Sequence, residues 1–168
     1  MYTQIFGQMK KQLAQMDSWL MTAATYADAK KFDVDVFMTQ RLAPDQFALA
    51  RQVQIACDAA KLGAARITGK EAPSHADSEQ TIAELRERIA ATLTYLEGLT
   101  AADFGDVGER TVTQSRWEGK VMSTHDYLLE HVMPNFYFHS VHVYAILRHN
   151  GVGLGKRDYL GTLSKRDA

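Results

Sequence analysis

The chain lacks several features that mark specialised protein classes. Cys57 is the single cysteine among 168 residues, so an intramolecular disulfide is excluded. No apolar run approaches the roughly 20 residues that a bilayer-spanning helix needs. The formal net charge is −1 and the pI about 6.6, without the basic excess typical of nucleic-acid or membrane-surface binders. The N-terminus shows no secretory signal pattern, and we expect a cytoplasmic protein without nucleic-acid or membrane partners.

Familiar catalytic motifs are missing too. The chain contains no G-x-G-x-x-G, no P-loop, no nucleophile elbow and no H-E-x-x-H. Hydrophobic residues make up 46% and charged residues 23%, an ordinary globular composition. Length and composition together predict one domain over residues 1–168.

What the sequence does contain is helical periodicity. The first thirty residues carry an apolar seam in steps of four and three, which predicts a long packed helix. The seam consists of Tyr2, Phe6, Met9, Leu13, Met16, Leu20, Ala23 and Ala27. A short helical turn is predicted at residues 32–38. Pro44 and Asp45 then favour the start of a second helix, which runs to Thr68 and ends at Gly69.

The second half of the chain follows the same logic, with one interruption. Asp77 or Ser78 can cap a third helix that ends at Gly98, after a loop over residues 70–77. Residues 111–113 and 120–122 predict a small β-hairpin or an ordered long loop. A fourth helix runs from a cap at Ser123 or Thr124 to residue 150, and Pro134 predicts a kink or break within it at residues 132–133. The tail after residue 151 is expected to run over the surface.

The last helix has polar residues on the face that should turn inward. Asn135 and His139, one turn apart, share that face with apolar neighbours, and His131 flanks it. On the second helix, Gln54 lies on a largely apolar line that continues to Cys57 or Asp58. These positions are the candidate site.

Three interpretations of these residues stay open at this stage. A mutually bonded set of Gln54, His139 and Asn135 would be a satisfied polar core with a structural role only. A pocket lined by them would bind a small organic ligand. A metal on His139 would need His131 or Asp58 to complete its shell, because amides are weak ligands for transition metals.

Five segments of the chain resemble a known bacterial family. They are residues 41–45 (RLAPD), 51–56 (RQVQIA), 134–139 (PNFYFH), 144–148 (YAILR) and 155–159 (GKRDY). They resemble the domain-of-unknown-function family numbered nineteen ninety-three, which is grouped with the DinB/YfiT-like metalloenzyme superfamily. The resemblance covers nearly the whole chain. It implies an all-α, up-down-down-up four-helix bundle, commonly a homodimer, with a site between the helices.

The resemblance also implies where a metal would bind. Metal-binding relatives use one histidine on helix two and an H-x-x-x-H pair on helix four, and some are thiol-dependent transferases or hydrolases. In this chain those three positions are Gln54, Asn135 and His139, so one imidazole of three is present and the metal site looks degenerate.

The sequence therefore leads to three hypotheses about function, and it leaves open whether the chain is an enzyme. The first is a small-ligand pocket formed by Gln54, Asp58, His131, Asn135 and His139. The second is a divalent ion (zinc, nickel, manganese or iron) on His139, serving a thiol transferase or hydrolase. The third is a non-catalytic homodimeric interaction protein.

Overall fold

A computed structural model describes residues 1–166, and most of them are helical. In chain order the helices are α1 (Tyr2–Lys30), α2 (Leu49–Thr68), α3 (Ile82–Glu97), α4 (Thr124–Asp126), α5 (Met133–His149) and α6 (Lys156–Leu160). Short 3-10 turns lie at Val34–Thr39, Ala101–Phe104 and Ser115–Trp117, and a π-helical segment at Tyr127–Val132. The first of these turns lies where the short helical turn was predicted.

The long helices α1, α2, α3 and α5 enclose the core. Helix α2 packs against α3 and α5, and α1 packs against the same two helices. The seam predicted on α1 is buried along its whole length except for the half-exposed Tyr2. Within the described residues no helix has the length and apolar character needed to cross a membrane.

Two predicted helix starts were wrong. Helix α2 begins at Leu49 and not at Pro44, because the chain around Pro44 forms a turn closed by the bond from Gln46 N to Ala43 O. Proline's fixed φ suits a turn as well as a helix start. Helix α3 is capped by Thr81, in a capping box with Glu84, and not by Asp77 or Ser78.

Between α3 and α4 the chain forms the hairpin, one of the two predicted alternatives, with its second strand at residues 122–123 and not at 120–122. Strands β1 (Thr111–Val112) and β2 (Met122–Ser123) pair antiparallel, with Val112 opposite Met122. The Ser123 side chain then caps α4 by accepting a hydrogen bond from the backbone N–H of Asp126. The irregularity expected from Pro134 takes the form of the π-helical segment, which ends at Val132 while the chain stays helical. Proline lacks the N–H that an α-helical bond would need at this point.

The tail is anchored, which the sequence analysis did not predict. Val152 and Leu154 are buried, and α6 lies against α1. The indole N–H of Trp19 donates to the backbone carbonyl of Asp158 over 3.0 Å, and Tyr159 stacks on the same indole at 5.6 Å between ring centroids. A buried tryptophan needs a partner for its N–H, and the tail supplies it.

One glycine sets the distance between α2 and α5. A Cβ at Gly63 would lie 2.6 Å from Cγ1 of Val132, closer than a Cβ can normally approach a carbon atom. The absence of a side chain therefore lets the π-helical segment lie directly on α2. Helix α2 carries Gln54 and Asp58, the π-helical segment carries His131, and α5, which continues from it, carries Asn135 and His139.

We expect Gly63→Ala to lower the free energy of unfolding by about 1–2 kcal/mol, because overpacking outweighs the helix propensity gained. Gly7 in α1 offers a matched control: nothing lies within 4 Å of its added Cβ, so Gly7→Ala should stabilise by roughly 0.5–1 kcal/mol. Urea unfolding measures both. In a Val132→Ala background the cost of Gly63→Ala should shrink, and equal stabilisation by both alanines would contradict the close contact.

Candidate functional site

His139 is the centre of the site and is held by helix α2. Its side chain is 6% exposed, and its Nδ1 lies 2.7 Å from Oε1 of Gln52. The amide nitrogen of Gln52 donates to the carbonyl of Phe47 over 3.1 Å, which fixes the orientation of the Gln52 amide. Since Oε1 can only accept, Nδ1 carries the proton and Nε2 keeps its lone pair.

Burial keeps this imidazole neutral. Loss of solvation, with smaller contributions from His142 and Arg51, lowers the pKa of His139 from 6.5 to about 4. At neutral pH His139 is therefore an uncharged hydrogen-bond acceptor at Nε2, in one fixed tautomer. The same state is required of a general base or of a metal ligand.

A cavity of about 370 Å³ adjoins His139. Its walls are Asp45, Gln46, Phe47, Gln52, Asn135, Phe138 and His139. The rings of Phe47 and Phe138 are 55% and 56% exposed. A cavity of this volume with aromatic walls is in the usual range for small-molecule sites. We call it the His139 pocket.

Gln46 also lines this pocket and contacts His142. Nδ1 of His142 lies 2.7 Å from the Phe138 carbonyl and therefore donates, so Nε2 of His142 accepts from the Gln46 amide over 3.0 Å. This bond leaves the amide oxygen of Gln46 buried, and within residues 1–166 that oxygen has no hydrogen-bond partner.

Gln54 does not join His139 and Asn135, so the mutually bonded set considered for the polar core does not occur. Gln54 is 5% exposed, donates to Glu79 over 2.9 Å and accepts from Arg51 over 3.1 Å. It belongs to a cluster on the α3 side of helix α2. Arg51 lies on α2 itself, whereas Glu79 lies on the loop before α3, where sequence periodicity gives no guidance.

Arg88 organises that cluster and also binds Asp58. The Arg88 guanidinium is buried and lies 2.9 Å from carboxylate oxygens of both Asp58 and Glu79. Lys61, also buried, lies 3.1 Å from the same Asp58 oxygen. The charge of Asp58 is therefore compensated from two sides.

Asp58, His131 and Asn135 meet at a second cavity of about 190 Å³. Four further polar residues line it: Arg66, Gln114, Arg116 and Tyr127. Asn135 lines both cavities, so the two are neighbours along the α2–α5 contact. The five predicted site residues thus divide: His139 with Asn135 at one cavity, Asp58 and His131 with Asn135 at the other, and Gln54 at neither.

Gln52 is the functional residue that sequence reasoning missed. It lies about three helical turns before Gly63, on the face that meets α5. A polar residue in line with a glycine on a helix of small residues is a signal that the sequence did offer. Gln54, on the neighbouring line of the same helix, was predicted in its place.

The donors present do not fit a three-imidazole metal centre. Of the positions aligned with that centre, only 139 is a histidine, and Gln54 faces another side of the helix. Across residues 1–166, no three histidine, cysteine or carboxylate side chains are grouped so that they could hold a metal ion. The donors beside His139 are mainly amides, which bind transition metals weakly.

Comparison with known proteins places the chain in a family. It matches the family described as Domain of unknown function (DUF1993) over residues 1–160. No curated protein matches it. It is similar to a DinB family member protein from Shewanella denitrificans, known from a crystal structure, with 48% identity, a TM-score of 0.96, and coverage of 100% of this chain and 96% of that one. The chain belongs to the DUF1993 family, whose function is unknown, and shares its fold with a DinB family protein.

Proposed function

We propose that this protein binds a small organic molecule in the His139 pocket, and that the molecule has an apolar body and a hydrogen-bond donor. The observation that carries the proposal is the state of His139. Its Nδ1–H donates to Gln52, which fixes the tautomer and leaves Nε2 as an acceptor. Its pKa is lowered to about 4, mainly by burial, so the ring is uncharged at neutral pH.

The rest of the pocket supports the same ligand class. The buried oxygen of Gln46 is a second acceptor, without a partner among the described residues. An unsatisfied buried acceptor costs about 1–3 kcal/mol, which a donor on the ligand would recover. The exposed rings of Phe47 and Phe138 offer apolar contact to the body of the ligand.

Phenols combine a hydroxyl donor with an aromatic body, so p-cresol is a suitable probe. We expect p-cresol to shift the backbone amide resonances of Gln46, Gln52 and His139 in a saturable ¹H–¹⁵N NMR titration. His139→Phe should weaken this binding by about tenfold, because the phenol proton loses its acceptor. The exposed His149 provides the control, and His149→Phe should leave the affinity unchanged.

A ligand without the donor separates hydrogen bonding from apolar burial. 4-Methylanisole has the same ring but no hydroxyl proton, and it should bind more weakly than p-cresol by a similar factor. Equal affinity for the two probes, or no saturable shift with either, would overturn the proposal. Thermal unfolding of His139→Phe checks that the variant is folded.

His139 also predicts a pH dependence of stability. Between pH 6.5 and about 4 the unfolded chain binds a proton at this imidazole that the folded chain does not. The free energy of unfolding should therefore fall as the pH drops through this window, with a contribution of up to about 1.4 kcal/mol per pH unit. In urea unfolding between pH 7 and about 4, His139→Gln should reduce the slope of the free energy of unfolding against pH. A ¹⁵N NMR titration of His139 with a midpoint near pH 6.5 would contradict the assignment.

A metal-dependent transferase or hydrolase using His139 stays the rival prediction. It would need donors from outside the groups described above. Elemental analysis of untagged protein tests it: near-stoichiometric zinc, nickel, manganese or iron, lost in His139→Gln, would favour the rival over the proposed pocket.

The up-down-down-up helix order and the homodimer also stay predictions, and sedimentation equilibrium measures the latter.

A further inference from the structure

The second cavity differs from the His139 pocket in the hydrogen-bonding character of its walls. Two guanidinium groups border it, and each is held by an aromatic residue. Arg66 donates to the hydroxyl of Tyr127 over 2.9 Å, and Arg116 lies 2.6 Å from Nε2 of His131. The hydroxyl oxygen of Tyr127 and Nε2 of His131 therefore each already accept one hydrogen bond.

The Arg116 contact fixes the tautomer of His131. A guanidinium can only donate, so Nε2 of His131 accepts and Nδ1 carries the proton. Burial, with Arg116 and Arg66 nearby, lowers the pKa of His131, so the ring is neutral at pH 7. Its Nδ1 is nonetheless buried and has no partner in the part of the chain that the structure describes.

A second buried donor in the same cavity is also unpaired. The amide nitrogen of Gln114 has no hydrogen-bond partner within residues 1–166. The hydroxyl of Tyr127, having accepted from Arg66, still has its own proton to donate. Buried donors without acceptors are rare in folded proteins, and two beside one cavity indicate a missing acceptor.

The single carboxylate in the walls does not supply it. Asp58 is already engaged by Arg88 at 2.9 Å and by Lys61 at 3.1 Å. With Asp58 compensated by these two cations, Arg66 and Arg116 leave the cavity electropositive. Its volume of about 190 Å³ is small for a whole drug-sized molecule but sufficient for one anionic group.

The backbone here is unusual as well. Tyr127 and His131 both lie in the π-helical segment, and Trp117 packs edge-on against both rings at 5.9 Å. Single π-helical turns are frequent at functional sites, because the widened turn changes where its side chains project. In this chain the segment brings Tyr127 and His131 together, with their rings stacked at 5.2 Å.

From these observations we infer that the cavity bordered by Arg66, Arg116 and His131 is a binding site for an anionic group, either a carboxylate or a phosphate. Guanidinium groups bind both through charge-assisted hydrogen bonds. The inference does not depend on the ligand proposed for the His139 pocket, since the two sites have different donors and acceptors. Asn135 is the residue that borders both.

The test is a titration of the full chain with inorganic phosphate and, separately, with acetate, at constant ionic strength. We expect saturable shifts of the Arg66 and Arg116 Nε–H resonances and of the Gln114 side-chain amide. The anion that binds more tightly identifies the group as phosphate or carboxylate. Arg116 is exposed, so Arg116→Gln should fold normally and weaken binding by about tenfold.

The exposed Arg157 is not among the residues that line this cavity and provides a control with the same change of charge. Arg157→Gln should retain affinity within about twofold, as expected when only long-range charge changes. Equal weakening by both variants would show diffuse attraction and overturn the site, as would the absence of saturable shifts with either anion. Arg66→Gln serves as a second test, and it should weaken binding while p-cresol binding at the His139 pocket persists.

Discussion

The close contact between α2 and the π-helical segment that leads into α5 is the constraint on which the candidate site depends. Because Gly63 has no side chain, Val132 can lie directly against α2. On the same face of α2, Gln52 then reaches His139 at 2.7 Å and selects its tautomer. A wider separation of the helices would leave both polar groups buried without partners, at a cost of about 1–3 kcal/mol each. The packing of Val132 on Gly63 and the hydrogen bond between Gln52 and His139 therefore depend on the same approach to α2.

The two cavities along this interface are chemically opposite. Within residues 1–166, the groups without a partner on residues that line the His139 pocket are acceptors, namely Nε2 of His139 and the amide oxygen of Gln46. At the neighbouring cavity the donors of His131 and Gln114 have no partner in the part of the chain that the structure describes. The difference arises because Nδ1 is engaged in one imidazole and Nε2 in the other. The two histidines therefore present opposite hydrogen-bonding groups, an acceptor at His139 and a donor at His131.

Arg88 contacts the face of α2 that carries Gln54 and Asp58, whereas Gln52 contacts His139. This buried guanidinium collects Asp58, Asp77 and Glu79, and Glu79 in turn binds Gln54. A buried arginine without carboxylates would be strongly destabilising, so these contacts fix the loop before α3 and the orientation of Gln54 together. Two glutamines on one helix consequently serve different purposes: Gln54 belongs to the ion cluster and Gln52 to the site.

The amino-acid sequence by itself determined the helical periodicity, the buried face of α1, the end of α2 at Gly69 and the inward direction of His139, because these follow from local spacing and backbone preference. It left the choice between a hairpin and an ordered loop to the tertiary structure. It also placed an irregularity before Pro134, since a missing N–H is a local property. Only the tertiary structure decided that Gln52 is the partner of His139, that Gln54 faces Glu79, and that the tail anchors on Trp19. Those pairings join residues distant in the chain, and their geometry depends on how closely the helices approach, which no local pattern encodes.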